Sequence, residues 1–179
     1  LLANLEHRGT TGAEENTGDG SGILLQMPHE FFEAEVDADL PPRGEYAVGS
    51  LFLPRDDEAA AGLKDLFEST LASEGLEVFH WRTVPTDNET LGATAVESEP
   101  RVEQAFVRPE GDVDDEEFDK RLYVARRVVE NTVEDERPAG HERFYVVSLD
   151  QDTVVYKGLL LAEQLPEYYP ELTDERMTS

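Results

Sequence analysis

The stretch Leu5-Glu6-His7-Arg8-Gly9-Thr10-Thr11-Gly12-Ala13, with Thr17-Gly18-Asp19-Gly20-Ser21-Gly22-Ile23-Leu24-Leu25 after it, decides how this chain is read. A His-Arg-Gly turn gives way to a polar loop with glycine at 18, 20 and 22, and the loop runs straight into the apolar segment Ile23 to Met27. Glycines at alternate positions allow positive φ and let other backbone come close. The apolar run behind them reads as a buried strand. Dinucleotide fingerprints and phosphate loops place their glycines after a strand and before a helix, so that the helix N-terminus faces the phosphate. Here the glycines come before a strand, and no Gly-Lys-Ser/Thr follows. Ser21 does not fit a hydrolase elbow, because that motif needs glycine two places before and after the serine, where this chain has Asp19 and Ile23. The acids of the loop lack the spacing of a calcium-binding EF-hand.

Outward from that loop, Leu1 to Leu5 reads as the end of a helix stopped by Gly9, and Pro28 closes the first strand. His29 to Val36 reads as a short helix with Phe31 and Phe32 inward, and Tyr46 to Leu53 as a second strand. Asp56 and Asp57 offer a cap and a negative first turn. The helix they open carries Ala60, Leu63, Leu66, Phe67 and Leu71 on one stripe and stops at Gly75. Glu77 to Val84 alternates like a strand with one polar face, and Arg101 to Val107 is another strand. Leu91 to Glu99 gives no clear pattern. The acidic run Asp112 to Glu117 leads into the strongest helix, with Phe118, Leu122, Ala125, Val129 and Val133 at three- and four-residue spacing. Phe144 to Leu149 and Thr153 to Leu161 read as strands joined across Asp150-Gln151-Asp152, a connection of hairpin length. The order of elements predicts layered α+β structure, not a doubly wound sheet.

With 179 residues, 39% of them hydrophobic, the chain can bury one good core in one domain. Asp and Glu number 41 against 15 Lys and Arg, for a formal net charge of -26. A surface of that sign repels nucleic acid and anionic membrane. The acids are spread over every segment, which fits adaptation to high salt, where screening removes the self-repulsion. The absence of cysteine excludes disulfides and thiolate metal sites within these residues. No run of apolar residues is long enough to span a membrane, and no export leader is visible, which predicts a cytoplasmic protein. The start at Leu1, inside a helical pattern, reads as an internal piece of a longer protein.

The remaining candidates are few. His7, His29, His80 and His141 fall in four segments with no pair at zinc spacing. Arg8, held between a helix end and Gly9, suits bidentate hydrogen bonding, either as an internal partner of Glu6 or Asp19 or as part of a pocket wall. Lys157 reads as an exposed lysine, and Trp81, Tyr168 and Tyr169 as packing residues.

Several blocks, taken together and in order, carry a family likeness: Leu5 to Gly9, Thr17 to Leu24, Gly44 to Gly49, Trp81 to Pro85, Leu91 to Ala95, Ser98-Glu99-Pro100, Gln104 to Val107 and Val154 to Gly158. The chain resembles, over its whole length, the class II glutamine amidotransferase domain of glutamate synthase large subunits. Trp81-Arg82 and Ser98-Glu99-Pro100 speak against the amidophosphoribosyltransferases, which share the mechanism; a non-catalytic module with the same fold is a further alternative. The resemblance implies an N-terminal-nucleophile (Ntn-hydrolase-like) αββα four-layer sandwich, incomplete at both ends, with residues 1–179 part of one domain. It implies that a cysteine upstream of Leu1 attacks the glutamine amide, and that the ammonia released passes to a synthase domain that aminates 2-oxoglutarate. The arginine block that binds the substrate carboxylate, and an Asn-Gly pair at the oxyanion, are expected downstream of Ser179. This stretch then holds no catalytic residue and binds no metal, and by itself is expected to be inactive. Its pocket-supporting residues are Arg8, Gly9, Asp19, Gly20, Ser21 and Gly22. FMN and an iron–sulfur cluster are implied for the complete enzyme in other domains, with an electron-donor subunit or ferredoxin as partner.

Overall fold

The computed structural model describes residues 20–178. Among the described residues, six strands form two antiparallel sheets. The larger has the order β3 (Leu76–Thr83), β4 (Arg101–Pro109), β2 (Ala47–Leu53), β5 (Tyr145–Asp150), and the smaller pairs β1 (Ser21–Gln26) with β6 (Thr153–Gly158). Helices α2 (Asp57–Ser73) and α4 (Asp115–Glu136) cover one face of the larger sheet. The short helices α1 (His29–Glu35), α3 (Ala93–Ser98) and α5 (Leu165–Tyr168) lie along the chain between and after the strands.

The helical stripes fall where the apolar spacing predicts. Ala60, Leu63, Phe67 and Leu71 of α2, and Phe118, Leu122, Ala125, Val129 and Val133 of α4, are buried in one core against the larger sheet. Asp56 caps α2 by accepting from the Ala59 amide at 2.9 Å, and Asp114 caps α4 by accepting from the Glu117 amide at 2.9 Å. Gly75, at φ 72°, ends α2 as expected. A second core fills the space between the two sheets. Val48, Val102 and Phe106 come from the larger sheet, Val154 and Tyr156 from the smaller, and Phe31 and Phe32 close the end. The α+β expectation holds, with one helical layer and two packed sheets among the described residues. Leu24, on the outer face of the small sheet, is 63% exposed.

Two expectations change, and one segment without an expectation gains a structure. The Asp150–Asp152 connection is not a hairpin: β5 pairs with β2 in the larger sheet, and β6 pairs with β1 in the smaller. Asp150 Oδ1 accepts from the backbone N–H of Asp152 (2.8 Å) and Thr153 (2.7 Å), and this tight turn hands the chain from one sheet to the other. A short link sets proximity, but the burial of Val154 and Tyr156 between the sheets decides which edge β6 finds. Strand β3 does not present a polar face opposite an apolar one. A bulge between Val78 and His80 breaks the period, so that Val78 and Trp81 both turn toward the α2 side while Phe79 packs between the sheets. Residues 93–98, without a clear pattern in sequence, form α3.

Candidate functional site

Gly20, Ser21 and Gly22 lead into β1 and lie against the end of β6. Ser21 pairs with Gly158 and Gly22 with Lys157. Gly20 takes φ 127°, a conformation side chains disfavour. A Cβ on Gly22 would stand 2.7 Å from Lys157 Cβ and 2.8 Å from the Tyr156 carbonyl oxygen, so this strand contact requires glycine. The Ser21 hydroxyl donates to the Leu161 carbonyl at 3.4 Å and so ties the start of β1 to the chain beyond β6.

Beyond Gly158 a cavity of about 450 Å³ opens between β6, α3 and α5. Phe52, Leu160, Tyr168 and Tyr169 supply much of its wall. The Tyr169 hydroxyl donates to the Lys157 carbonyl at 2.9 Å and ties α5 to the strand. Glu99 is a buried acid at the same wall. It accepts from the Tyr168 hydroxyl (2.9 Å) and Asn88 Nδ2 (2.9 Å), and it pairs with Arg55. Burial, then the Glu99 charge, pushes the Tyr168 phenol well above its ordinary range.

A second polar cluster lies between the sheets. Arg82 donates to Gln104 Oε1 at 2.8 Å and pairs with Glu171; Tyr156 donates to Glu171 Oε1 at 2.6 Å and receives Gln104 Nε2 at 3.1 Å. Burial works against the Arg82 charge, but hydrogen bonding and the charge of Glu171 outweigh it and raise its pKa. Burial first, then Glu171, raises the Tyr156 phenol as well. Each member satisfies another, so the cluster locks both sheets to the segment after α5.

The model of the class-II glutamine amidotransferases matches residues 1–179. The chain belongs to this family. It is 36% identical over 181 residues to the ferredoxin-dependent glutamate synthase of Spinacia oleracea, covering 99% of this chain and 11% of that protein. It is 37% identical over 181 residues to the glutamate synthase [NADPH] large chain of Bacillus subtilis, covering all of this chain and 12% of that one. With the glutamate synthase [NADH] of Saccharomyces cerevisiae, identity is 38% over 193 residues, covering 100% of this chain and 9% of the yeast protein. The chain thus spans about a tenth of the length of these curated relatives.

In this member of the family the sequence-predicted wall residues Gly20, Ser21 and Gly22 come together with Lys157 and Gly158, which the sequence placed in another block. Arg8, Gly9 and Asp19 lie outside the described residues. Among the described residues, no group of three His, Asp or Glu gathers in metal-binding geometry. His29 meets the Tyr46 hydroxyl at 2.9 Å, and His80 packs on Phe106 with ring centroids 5.8 Å apart. Sequence reasoning missed the Glu99 and Glu171 clusters. The acids stand in ordinary acid-rich segments, and only Tyr168-Tyr169, a pair of phenols that needs partners once buried, could have signalled them.

Proposed function

We propose that this chain is part of one glutaminase domain, residues 1–179 included, of a glutamate synthase that releases ammonia from glutamine and transfers it to 2-oxoglutarate. The observation that carries the reading is that relatives matched along nearly the whole chain, from plant, bacterium and yeast, are all glutamate synthases. In that reaction a cysteine upstream of Leu1 attacks the side-chain amide while its own α-amino group takes up the thiol proton. The tetrahedral adduct breaks its C–N bond, the α-amino group returns the proton to the departing ammonia, and the glutamyl thioester left behind is hydrolysed by water to glutamate and the free thiol. This chain supplies wall and not nucleophile. Arg8, Gly9, Asp19, Gly20, Ser21 and Gly22 support the pocket, with Gly22 permitting the close seat of β1 on β6 and Gly20 the positive φ just before it.

With no cysteine, the chain offers no thiolate to an iron–sulfur cluster. The reading places that cluster, and FMN, in other domains of the complete enzyme, where a synthase domain receives the ammonia and an electron-donor subunit or ferredoxin supplies reducing equivalents. It places the enzyme in the cytoplasm; no helix among the described residues is long and apolar enough to cross a membrane. The test is ammonia release from glutamine, and glutamate formation from 2-oxoglutarate, by the complete polypeptide that carries this chain. The expected result is both activities in that polypeptide and none in the 179 residues alone; a complete polypeptide without glutamine-dependent activity refutes the reading.

The formal charge of -26 supports a further part of the proposal, that the protein works at high salt. Screening at molar ionic strength shortens the range of self-repulsion to about 3 Å. Thermal unfolding is expected to rise clearly between dilute buffer and molar KCl, and equal midpoints refute the adaptation.

A further inference from the structure

We propose that the cavity between β6, α3 and α5 binds a small amphipathic monoanion, a carboxylate or sulfonate on an apolar or aromatic body, with Lys157 and Arg143 holding the anionic group. The proposal is independent of the glutaminase reading.

Its volume, about 450 Å³, lies within the range that encloses small organic ligands. Its walls are largely apolar and aromatic, as such sites require. At the rim stand Tyr145, 45% exposed, and Leu159, 50% exposed.

The charges select the sign of the ligand. In so acidic a chain, most lysines and arginines among the described residues are taken by a carboxylate, as Arg55 is by Glu99, Lys64 by Glu103 and Arg101 by Asp57. The exceptions among the described residues are Arg43, Arg137, Arg143 and Lys157, and two of these line this one cavity. The Lys157 ammonium sits 4.1 Å above the Tyr145 ring, which holds it at the apolar rim without neutralising it. Among the described residues the Arg143 guanidinium donates to the Glu97 carbonyl alone, at 3.4 Å. The acids of the lining do not reverse this sign. Glu99 is already matched by Arg55, Asn88 and Tyr168, and Glu142 lies 3.3 Å from His141 Nδ1. Two free cations against the single acid Glu142 suit one negative charge, and the ring of Tyr145 with Leu159 offers a surface for the apolar body.

The experiment uses the complete polypeptide that carries this chain and 8-anilinonaphthalene-1-sulfonate as the fluorescent probe, with 3-phenylpropanoate and its uncharged analogue 3-phenylpropanol as competitors. The expected result is a site from which the carboxylate displaces the probe at least 5-fold better than the alcohol. Lys157→Gln with Arg143→Gln weakens that site at least 5-fold, and Ala95→Phe, which fills the cavity, removes it. Circular dichroism of the charge variant is expected to match the parent, because neither cation has an ion pair to lose among the described residues. Equal displacement by acid and alcohol, unchanged affinity in the charge variant, or probe binding that survives Ala95→Phe overturns the proposal. Displacement by glutamine overturns it too, since the cavity would then be the amidotransferase's own substrate site.

Discussion

Gly22→Ala tests the seating of β1 on β6 directly. In an antiparallel pair, facing Cβ atoms normally stand about 4.5–5.5 Å apart, yet a methyl on Gly22 would lie 2.7 Å from Lys157 Cβ and 2.8 Å from the Tyr156 carbonyl oxygen. Carbon atoms settle at about 3.5–4.0 Å, so the strands must part by roughly 1 Å. The small sheet has no third strand among the described residues to share the displacement. Such overpacking costs about 1–3 kcal/mol, which lowers the midpoint of a chain this size by roughly 2–12 °C at about 2–4 °C per kcal/mol. Two further glycines separate steric from conformational causes. At Gly20 the nearest atom is 3.6 Å away, but φ is 127°, so Gly20→Ala loses about 1–3 kcal/mol through backbone strain alone. Gly62, inside α2, has no atom within 4 Å of a Cβ, and Gly62→Ala stabilises by about 1 kcal/mol. Melting curves by circular dichroism in molar KCl check all three. A Gly22→Ala midpoint equal to or above the parent refutes the close-contact reasoning, and a Gly62→Ala midpoint that falls alongside it shows that glycine replacement acts through something else.

Glu171→Ala leaves Arg82 charged and mostly enclosed, with side-chain exposure of only 11%, and is expected to cost about 3–5 kcal/mol. The double change of Arg82 to Met and Glu171 to Leu should recover most of that loss in a chemical denaturation series. Tyr46, Tyr156, Tyr168 and Tyr169 have phenols raised above their ordinary pKa of 10.0, with burial the leading cause. The folded state therefore disfavours the phenolate: its stability is intact below pH 10 and falls as pH rises above it, where unfolded tyrosines ionise first. The 295 nm absorbance of these phenolates is expected to appear together with loss of circular dichroism, and ionisation of all four in a folded chain refutes it. The Asp174 carboxyl, held by Arg176, is lowered from 3.8 to about 2, so its contribution is present above about pH 4 and lost as pH falls toward 2. Asp174→Asn should flatten the acid limb of the unfolding profile between those values. Asp56→Ala removes the cap of α2 and should lower stability by about 0.5–2 kcal/mol in the same denaturation series.

By itself the sequence determined the elements whose signal is local. Apolar spacing set the buried faces of α2 and α4, Asp56 and Asp114 set their starts, and the glycines before Ile23 announced a close backbone approach without naming what approaches. Only the tertiary structure decided what lies against what. Strand β6 follows β5 across two residues yet pairs with β1, more than a hundred residues earlier, because edges are chosen by the burial of Val154 and Tyr156 and not by chain proximity. The bulge in β3 depends on its register with β4, so alternation along β3 alone misassigned its faces. Glu99, Glu171 and Lys157 look in sequence like ordinary charged residues of an acid-rich or exposed stretch. Their environments come from Tyr168, Tyr156 and Tyr145, each far enough away in the chain, or on a different element, that only folding sets the distances. The close approach that Gly22 makes possible is met, among the described residues, by Lys157 of β6, and no pattern within the first two dozen residues could specify that partner.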